Sequence, residues 1–596
     1  MTPTTLNQIF LSAAERYAGR PAVMRRKVDG AWRDLSYDTL QRRVRHLGAT
    51  LKSLGLVPGD RVAILSENRP EWAIADYACL LARLVDVPIY TTLTPHQIGY
   101  ILRDSGARAI FVSTRALLDK ILEVRSDLPA LEQIILFDGP PPTPDIVSFD
   151  NIEAQRADGA NLGDWEREAL AVTPDDLATL IYTSGTTGEP KGVMLSHGNI
   201  TSNVVDVLRV LAVSTGDEYL SFLPLCHIFE RMVGHFSMLQ AGAVVSYATS
   251  FETVVAELPE VRPTIVASVP RLYEKIFTRV TDTAAAAGGL THAIFEWARS
   301  TGEKRLQYVL AGRPVPWLLA IQQRVVDPLV FAKLRRRLGG RIHFLVSGGA
   351  PLNPAICRFF IAAGLPLIEG YGLTETSPVI AFNHLDKLRP GTVGPPLSGV
   401  EVRFAPDGEI LVRGPNVMKG YYHKPEATAE AIDREGWFHT GDIGELDSEG
   451  CLRITDRKKD LIKTSGGKYV APQPIEGMLK LNKYFSNAVM LGDKRRFPIM
   501  LVVPNFAALS DWLATEGLGA RSPDELVAMP AVQERLEREA RKSLRDLAQF
   551  ETPKKFLLVA RDFSIESGEL TATLKVRRKV VEEHYRDAIE ALYVEA

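Results

Sequence analysis

The chain has 596 residues, a formal net charge of −2, 46% hydrophobic residues and 24% charged residues, which is the composition of a globular enzyme. This length exceeds what one hydrophobic core usually organises, so we expect two or more domains. The balanced charge lacks the basic excess of nucleic-acid-binding proteins, and we expect no nucleic-acid partner.

The cysteines and the N-terminus indicate the compartment. Four cysteines lie far apart without a C-x-x-C pair, which argues against a zinc site and a disulfide framework. The N-terminus has no basic region followed by an apolar run, and no stretch of about 18 uninterrupted apolar residues occurs. We expect a cytoplasmic protein, and peripheral contact with a membrane stays an open alternative.

Short β-branched runs alternate with helical patterns in the first half of the chain. Strands are predicted at 61–65, 109–112, 133–137 and 243–247, and helices at 39–54 and 72–84. Alternation of this kind predicts an α/β fold with parallel or mixed sheets in a large, multi-layered N-terminal domain. The proline-rich segment 139–144 is predicted to be a surface connection.

A loop rich in glycine and hydroxyl groups follows the apolar run 177–181. Its glycines allow successive N–H groups to converge on an anion, and its hydroxyl groups and lysine add donors and positive charge. These residues are Thr183, Ser184, Gly185, Thr186, Thr187, Gly188 and Lys191. The spacing differs from the G-x-x-x-x-G-K-[ST] pattern of P-loop nucleotide hydrolases. The loop is predicted to bind phosphate, although many such clusters are plain surface turns.

Helical patterns dominate between residues 281 and 337, with a break at 312–316. An apolar stripe at helical spacing is followed by the basic run 335–337, and it consists of Trp317, Leu318, Ile321, Val325 and Leu329. The frequency of amphipathic helices favours a core-facing stripe with a solvated basic end. The alternative is contact with a membrane surface.

Two further turns follow apolar strands, at 347–352 and 369–376. Ligands of open α/β sheets bind beyond the carboxyl ends of the strands, so these turns and the 182–191 loop can converge on one nucleotide. The candidate nucleotide-binding residues are Gly348, Gly349, Ala350, Glu369, Gly370, Tyr371, Gly372 and Thr374. Tyr371 can stack on a flat base, and Glu375 is an oxygen ligand suited to Mg²⁺ beside phosphate.

The last quarter of the chain predicts a second domain. The segment 436–442 ends in Asp442, a carboxylate able to accept ribose hydroxyl groups, and Arg457 could support it. The charged run 456–460 is a candidate hinge between a large N-terminal domain, 1–455, and a small, mobile α+β domain, 461–596. In the small domain, 522–525 begins a helix with a capping box, and an apolar face follows at Val532, Leu536, Ala540, Leu544 and Leu547.

These motifs resemble those of a known family. The 182–191 loop and the Tyr-Gly-x-Thr-Glu turn at 371–375 are similar to the signature motifs of the AMP-forming adenylating enzymes. This superfamily contains acyl-CoA synthetases, firefly luciferase and the adenylation domains of peptide synthetases. Three further segments resemble its long-chain fatty acyl-CoA synthetase branch, namely 68–72, 223–231 and 262–273.

The resemblance implies roles for individual residues. Lys575, within 568–576, would be the adenylation lysine, and Lys459 would be the hinge residue. His227 would help to position the substrate carboxylate at the mouth of its site. The remaining roles are Mg²⁺ binding by Thr183 and Glu375, ribose binding by Asp442 and Arg457, and a route for CoA along Gly466 and Gly467. A tryptophan gates the fatty-acid tunnel in some bacterial members, and Arg231 stands at its apparent counterpart here.

The implied activity is a two-step ligase that uses ATP, Mg²⁺ and CoA to convert a fatty acid, through acyl-AMP, into acyl-CoA. One alternative is an adenylate-forming ligase that takes another carboxylic acid or passes the acyl group to a carrier protein. Another is a fatty-acid-binding or transport-coupled protein with a vestigial ATP site, against which Lys191, Glu375 and Lys575 argue. Nothing in the sequence marks the oxygen chemistry of a luciferase. The sequence predicts neither the chain length of the acid nor an oligomeric state.

Overall fold

The computed structural model describes residues 2–154, 162–183, 189–465, 468–517, 519, 521–564, 567–571 and 576–594. Three sheets are formed by residues before 458, and two smaller sheets by residues after 461. Helices cover the sheets, which confirms the predicted α/β fold with mixed sheets and an additional C-terminal α+β unit.

The first sheet has eight strands, which are parallel except for one antiparallel pair at each edge. In spatial order the strands are Val379–Phe382, Leu367–Gly372, Phe344–Ser347, Ile265–Ser268, Glu218–Ser221, Val244–Tyr247, Met24–Val28 and Ala31–Leu35.

The second sheet also has eight strands, and its two antiparallel strand pairs lie next to each other at one edge. In spatial order the strands are Gly420–Tyr421, Lys191–Ser196, Leu177–Thr183, Val85–Ile89, Arg61–Leu65, Ala109–Val112, Gln133–Leu136 and Ile146–Ser148. The predicted strands at 61–65 and 109–112 are confirmed to the residue.

Helices of the N-terminal part pack against these sheets. Their bounds are Leu6–Arg16, Tyr37–Ser53, Pro70–Leu81, Pro95–Ser105, Arg115–Val124, Phe149–Ala154, Leu162–Ala169, His197–Val210, Ile228–Glu230, Met238–Ala241, Val254–Val261, Pro270–Ala286, Gly289–Leu310, Trp317–Val326, Ala332–Arg337, Pro354–Ala362 and Pro425–Ala431. Two π-helical segments, Arg231–Ser237 and Asp327–Phe331, continue the helices before them, and short 3₁₀ turns occur at Arg125–Asp127 and Thr374–Thr376. Pro70–Leu81 is buried on nearly all sides, because its residues are apolar all round apart from Glu71 and Asp76.

A four-stranded antiparallel sheet precedes the C-terminal part, with strands Glu401–Phe404, Glu409–Arg413, Phe438–Leu446 and Leu452–Arg457. The last strand includes Asp456 and Arg457, so only 458–460 of the predicted hinge forms a turn. The division of the chain at 455 and 460 stays a prediction.

The C-terminal part has two cores of its own, formed by residues from Ile462 onward. Its strands are Ile462–Lys463, Tyr469–Val470, Phe485–Leu491, Ile499–Pro504 and Lys555–Leu558, and its helices are Pro472–Lys480, Phe506–Thr515, Pro523–Ala528, Pro530–Ser543, Arg578–His584 and Arg586–Val594. The capping box at Ser522 is confirmed, and four residues of the predicted apolar face are buried: Val532, Leu536, Ala540 and Leu544.

The apolar stripe between 317 and 329 is not core-facing, so the favoured prediction for it is wrong. Trp317 is 69% exposed, Leu318 58%, Ile321 49%, Val325 46% and Leu329 42%. The core side of this helix is instead formed by Leu319 and Val326. Helical spacing shows that apolar residues share a face, but it does not show whether that face meets the core. Among the described residues, no helix is long and apolar enough to cross a membrane.

Candidate functional site

Two of the predicted turns lie side by side in the first sheet. Strands Phe344–Ser347 and Leu367–Gly372 are parallel neighbours, and Ser347 pairs with Glu369. The turn at 347–352, with Gly348, Gly349 and Ala350, therefore starts beside the turn at 369–376, with Gly370 and Thr374. Both lie at the carboxyl ends of parallel strands, where ligands of such sheets bind.

Tyr371, Asp442 and Arg457 meet at these turns although they come from three separate strands. The Tyr371 hydroxyl donates to Asp442 Oδ2 at 2.7 Å, and Arg457 Nε lies 3.1 Å from Asp442 Oδ1. Asp442 and Arg457 are paired in the antiparallel sheet. Burial, together with the charge of Asp442, raises the pKa of the Tyr371 hydroxyl, so it stays a neutral donor. The structure thus unites the residues predicted to contact adenine and ribose.

Glu375 and Lys191 are brought together by a residue that the sequence analysis missed. The Tyr421 hydroxyl donates to Glu375 Oε1 at 3.0 Å, and Lys191 Nζ lies 4.8 Å from the centroid of the Tyr421 ring. Tyr421 lies on an edge strand beside Lys191–Ser196, where Tyr421 pairs with Val193. No local motif marks Tyr421, because its role depends on strands more than 200 residues apart in sequence. This trio links the second sheet to the turn at 369–376.

Two glycines of the turns are required by close approaches. A Cβ atom at Gly372 would lie 1.7 Å from the carbonyl oxygen of Pro378, and one at Gly348 would lie 3.0 Å from Phe229 Cζ. The glycine at 372 therefore accommodates backbone, and the one at 348 accommodates an aromatic ring. Phe229 belongs to the segment 223–231, so this segment touches the candidate nucleotide site directly.

His227 begins the helix Ile228–Glu230. Its Nδ1 accepts the Phe229 N–H at 3.1 Å, so in the neutral ring the proton is on Nε2. An Nε2–H group is a donor suited to a carboxylate oxygen. The preceding loop is held by Asn68, whose amide donates to the Leu223 carbonyl at 2.7 Å and accepts the Leu225 N–H at 3.0 Å. The segments 68–72 and 223–231, both singled out in the sequence, therefore contact each other.

Arg231, the apparent counterpart of the gating tryptophan, is paired inside the protein. Its side chain is fully buried and its guanidinium contacts Asp76 and Asp86. This cluster was not predicted from the sequence. A signal was present at Asp76 and Asp86, which are single charges within apolar runs, and such charges are paired when they are buried, whereas Arg231 directly follows Glu230.

The hinge region contains a hydrogen-bonded turn. The Asp460 N–H donates to the Arg457 carbonyl at 3.0 Å, which places Lys459 as the third residue of the turn. Lys458 Nζ lies 2.6 Å from Asp407 and 2.9 Å from Glu409. Thr183 ends the strand before the loop that is predicted to bind phosphate. The remaining predicted site residues, Ser184, Gly185, Thr186, Thr187, Gly188, Gly466, Gly467 and Lys575, lie outside the described residues.

The buried carboxyl group of Glu369 should make the stability of the protein depend on pH. Burial raises its pKa from 4.5 to about 7, although the Gly391 N–H donates to it at 3.1 Å. The folded protein thus retains a proton that the unfolded chain loses, and stability from this group falls as the pH rises from about 4.5 to about 7. Glu369→Gln carries no charge at either pH. The difference in free energy of unfolding between this variant and the parent protein should therefore shift in favour of the variant by up to about 2 kcal/mol from pH 5 to pH 8. The unfolding midpoints of the variant and the parent protein are measured at pH 5 and at pH 8. The same difference between the two proteins at both pH values would contradict this prediction.

Comparisons with known proteins agree with this architecture. Residues 10–422 match the AMP-binding enzyme family, and residues 459–596 match the AMP-binding enzyme C-terminal domain. Among solved structures, the chain resembles the anthranilate CoA ligase AuaEII in complex with anthranoyl-AMP, with a TM-score of 0.73, 20% identity and 99% of each chain covered. It also resembles the adenylation domain of a carboxylate reductase from Mycobacterium chelonae, with a TM-score of 0.77, 24% identity, and 99% of this chain and 91% of that chain covered.

Relatives of known name cover nearly the whole chain. The long-chain-fatty-acid–CoA ligase FadD15 of Mycobacterium bovis is 36% identical over 576 residues, which is 96% of this chain and 94% of the relative. The peroxisomal long chain acyl-CoA synthetase 7 of Arabidopsis thaliana is 33% identical, over 99% of this chain and 86% of the relative. The chain therefore belongs to the AMP-binding enzyme family, in its long-chain acyl-CoA synthetase branch.

Proposed function

We propose that this protein is an AMP-forming fatty acid–CoA ligase, which uses ATP to convert a long-chain fatty acid to acyl-AMP and then to acyl-CoA. The observation that carries the proposal is the convergence of Tyr371, Asp442 and Arg457 beside the pair Glu375 and Lys191. One group offers contacts for a nucleoside and the other offers charges for its phosphates. The names of the relatives supply the acid and the acceptor.

The nucleoside would bind across the two turns of the first sheet. Gly348, Gly349 and Ala350 would border the base, which Tyr371 would stack on. Asp442 would accept the ribose hydroxyl groups in addition to its present contacts, which are Arg457 at Oδ1 and the Tyr371 hydroxyl at Oδ2. Glu369, Gly370, Gly372 and Thr374 would complete this side of the site.

The phosphates would lie toward Lys191 and the loop from Thr183 to Gly188. Glu375 fits a Mg²⁺ site of the kind that uses one carboxylate and substrate phosphates, and Mg²⁺ bound by Glu375 and Thr183 would neutralise phosphate charge. Among the described residues, no cluster of three or more acidic, histidine or cysteine side chains that could hold a metal is present.

In the first step, a carboxylate oxygen of the fatty acid attacks the α-phosphorus of ATP, and the bond to pyrophosphate breaks. His227 would orient the carboxylate through its Nε2–H group. Lys575 and Lys191 would stabilise negative charge on the α-phosphate and on the departing pyrophosphate. The reaction replaces a poor leaving group, an oxide, with AMP.

In the second step, the CoA sulfur attacks the acyl carbon, the bond to AMP breaks, and the thiol proton is released. CoA would approach along Gly466 and Gly467, where it needs the space that Lys575 held. We infer that the C-terminal part turns at Lys459 between the steps. No side chain acts as nucleophile, so no covalent acyl-enzyme forms.

Lys459→Pro tests the hinge. Proline restricts the backbone at its own position and disfavours the helical conformation of the residue before it, here Lys458. Acyl-AMP formation should be largely retained, and CoA-dependent turnover should fall severely. Single-turnover assays of each half-reaction measure this. Lys459→Ala, which keeps backbone freedom, is the control and should be far milder. Equal losses in both steps of a folded variant would place the hinge elsewhere.

The overall activity is tested by a panel of carboxylic acids, from acetate to long-chain and aromatic acids, assayed for AMP release with and without free CoA. A fatty acid–CoA ligase should release AMP steadily only with a long-chain acid and CoA together. Turnover that needs a carrier protein instead of CoA would favour the alternative acceptor. A lack of ATP–pyrophosphate exchange with every acid would favour a vestigial site.

We also propose that the exposed apolar stripe contacts a membrane, where long-chain fatty acids partition. Trp317 and its four stripe partners face away from the core, and Trp297, Val309 and Leu310 on the preceding helix are also 38–48% exposed. Exposed basic residues flank the stripe: Arg313, Arg324, Lys333, Arg336 and Arg337. An apolar face bordered by cations suits an interface that contains anionic lipids.

Vesicle sedimentation tests this contact. Trp317→Ala with Ile321→Ala should weaken binding to vesicles of phosphatidylcholine and phosphatidylglycerol by about 10-fold or more, because two large apolar side chains no longer leave water. The matched control is Val57→Ala with Leu446→Ala, since Val57 is 56% and Leu446 43% exposed outside the stripe. Equal binding by both double variants would remove the stripe from the interface.

A further inference from the structure

The helix that starts after His227 lies between the two large sheets, and consecutive residues tie it to each of them. Glu230 faces the first sheet. Its carboxylate accepts the Tyr219 hydroxyl at 2.7 Å and the Ser221 hydroxyl at 2.6 Å, and both donors belong to the strand Glu218–Ser221. Glu230 is 1% exposed, so these bonds replace all contact with water.

Arg231 faces the second sheet and the helix Pro70–Leu81. Its guanidinium lies 2.5 Å from Asp76 Oδ1 and 2.6 Å from Asp86 Oδ2. It also donates to the Thr179 hydroxyl at 2.9 Å. Asp86 and Thr179 are partners on neighbouring strands of the second sheet. One planar fork thus binds two strands and one helix, which a single point charge could not do.

The charges around Arg231 are shielded from solvent on every side. His235, one turn on, contacts Asp76 Oδ2 at 3.0 Å, and burial holds the pKa of this histidine well below its usual range. Burial raises the pKa of Asp86 to about 8. The neutral histidine adds no second positive charge beside the buried arginine.

The same helix packs closely against the first sheet. A Cβ atom at Gly234 would lie 2.5 Å from Tyr219 and 2.7 Å from Glu230 Oε1. At the start of the helix, Phe229 lies against Gly348 of the turn at 347–352. His227 is therefore bounded by Asn68 before it, Phe229 beside it, and the Glu230–Arg231 pair after it.

We propose that Glu230 and Arg231 are positioning residues, which lock the start of this helix to both sheets and so hold the His227 side chain in place. The proposal rests on the proposed function, because it assigns His227 to the carboxylate of the fatty acid. A small displacement of a substrate-positioning group lowers the rate strongly even when the chemistry is untouched. The pair should therefore affect use of the fatty acid more than use of ATP.

The test combines Arg231→Lys and Tyr219→Phe with His227→Ala in double-mutant cycles. Arg231→Lys keeps the positive charge but removes the planar guanidinium group that binds several partners at once. Tyr219→Phe removes one hydrogen bond to Glu230 at almost constant volume. Initial rates of acyl-AMP formation are measured against fatty acid and against ATP. Arg231→Lys should lower kcat/KM for the fatty acid by about 10- to 100-fold, and Tyr219→Phe should lower it less. KM for ATP should change by less than about twofold.

In the His227→Ala background, both variants should have effects of less than about twofold, because the group that they position is gone. Arg108→Lys is the matched control. The Arg108 guanidinium also joins two carboxylates, those of Asp60 and Glu132, but these lie outside this helix and the loop before it. It should lower thermal stability without changing fatty acid KM selectively.

The proposal would be overturned if Arg231→Lys and Tyr219→Phe lowered kcat/KM for the fatty acid by the same factor with and without His227→Ala. Equal changes in the KM values for fatty acid and ATP would also overturn it. If Arg231→Lys does not fold, Tyr219→Phe decides the question alone. A parent protein that forms no acyl-AMP from any fatty acid would refute the proposed function itself. An active parent with additive cycles refutes only the positioning role.

Discussion

Replacing Lys575 with alanine should reduce acyl-AMP formation by about 10²–10³-fold or more while sparing thioester formation from supplied acyl-AMP and CoA. The lysine is proposed to stabilise charge only while pyrophosphate departs, so its loss should not affect attack by the CoA sulfur. The two half-reactions are measured separately, by ATP–pyrophosphate exchange and by conversion of synthetic acyl-AMP.

The residues that follow Lys575 in sequence supply a control for this variant. Arg578, three residues later, is held by Glu476 and the Met490 carbonyl at 2.5 Å each, so it serves the C-terminal part itself. Lys579 is exposed, and Lys579→Ala removes a nearby lysine without touching these contacts. It should leave both half-reactions unchanged. Equal losses in both half-reactions for Lys575→Ala would contradict the division of labour, and no loss would mean that another residue is the adenylation lysine.

Glu375→Gln should lower ATP-dependent adenylation by about 10²–10³-fold and leave the fold intact, because it removes a charge at the phosphate site but little volume. The Tyr421 hydroxyl can still donate to the amide oxygen of glutamine. The rate is measured over a range of Mg²⁺ concentrations, and high Mg²⁺ should recover part of the loss if Glu375 binds the metal.

Two variants define what the loss at Glu375 means. Tyr421→Phe removes the hydroxyl that contacts Glu375 and keeps the ring beside Lys191, so its loss should be smaller than that of Glu375→Gln. Glu401→Gln alters an exposed carboxylate that pairs with Arg413 and should have no effect. Adenylation by folded Glu375→Gln at the parent rate would exclude Glu375 from the metal site.

The tertiary structure changed the interpretation of one large feature. Helical spacing at 317–329 predicted a face that meets the core, yet Trp317 is 69% exposed. A helix of this kind presents one face to the rest of the chain through Leu319 and Val326, and the periodicity of the other face is just as regular. Only the packing of neighbouring helices decides which face is covered.

The sequence alone determined the features that depend on local spacing. Strands at 61–65 and 109–112 follow from short β-branched runs. The capping box at Ser522 follows from the spacing along the chain between this serine and Glu525. The turns at 347–352 and 369–376 were likewise predicted, because glycines that permit close approach occur directly after apolar strands.

Contacts between distant segments were decided by the tertiary structure. Arg231 pairs with Asp76 across 155 residues, and Tyr421 joins Glu375 to Lys191 between two sheets. Asp76 leaves only a weak trace in the sequence, namely a charge within an apolar run, and this trace does not identify its partner, whereas Tyr421 leaves no such trace. The partner depends on strand order and on the layers that sheets and helices form, and these are set by the burial of apolar surface over the whole chain.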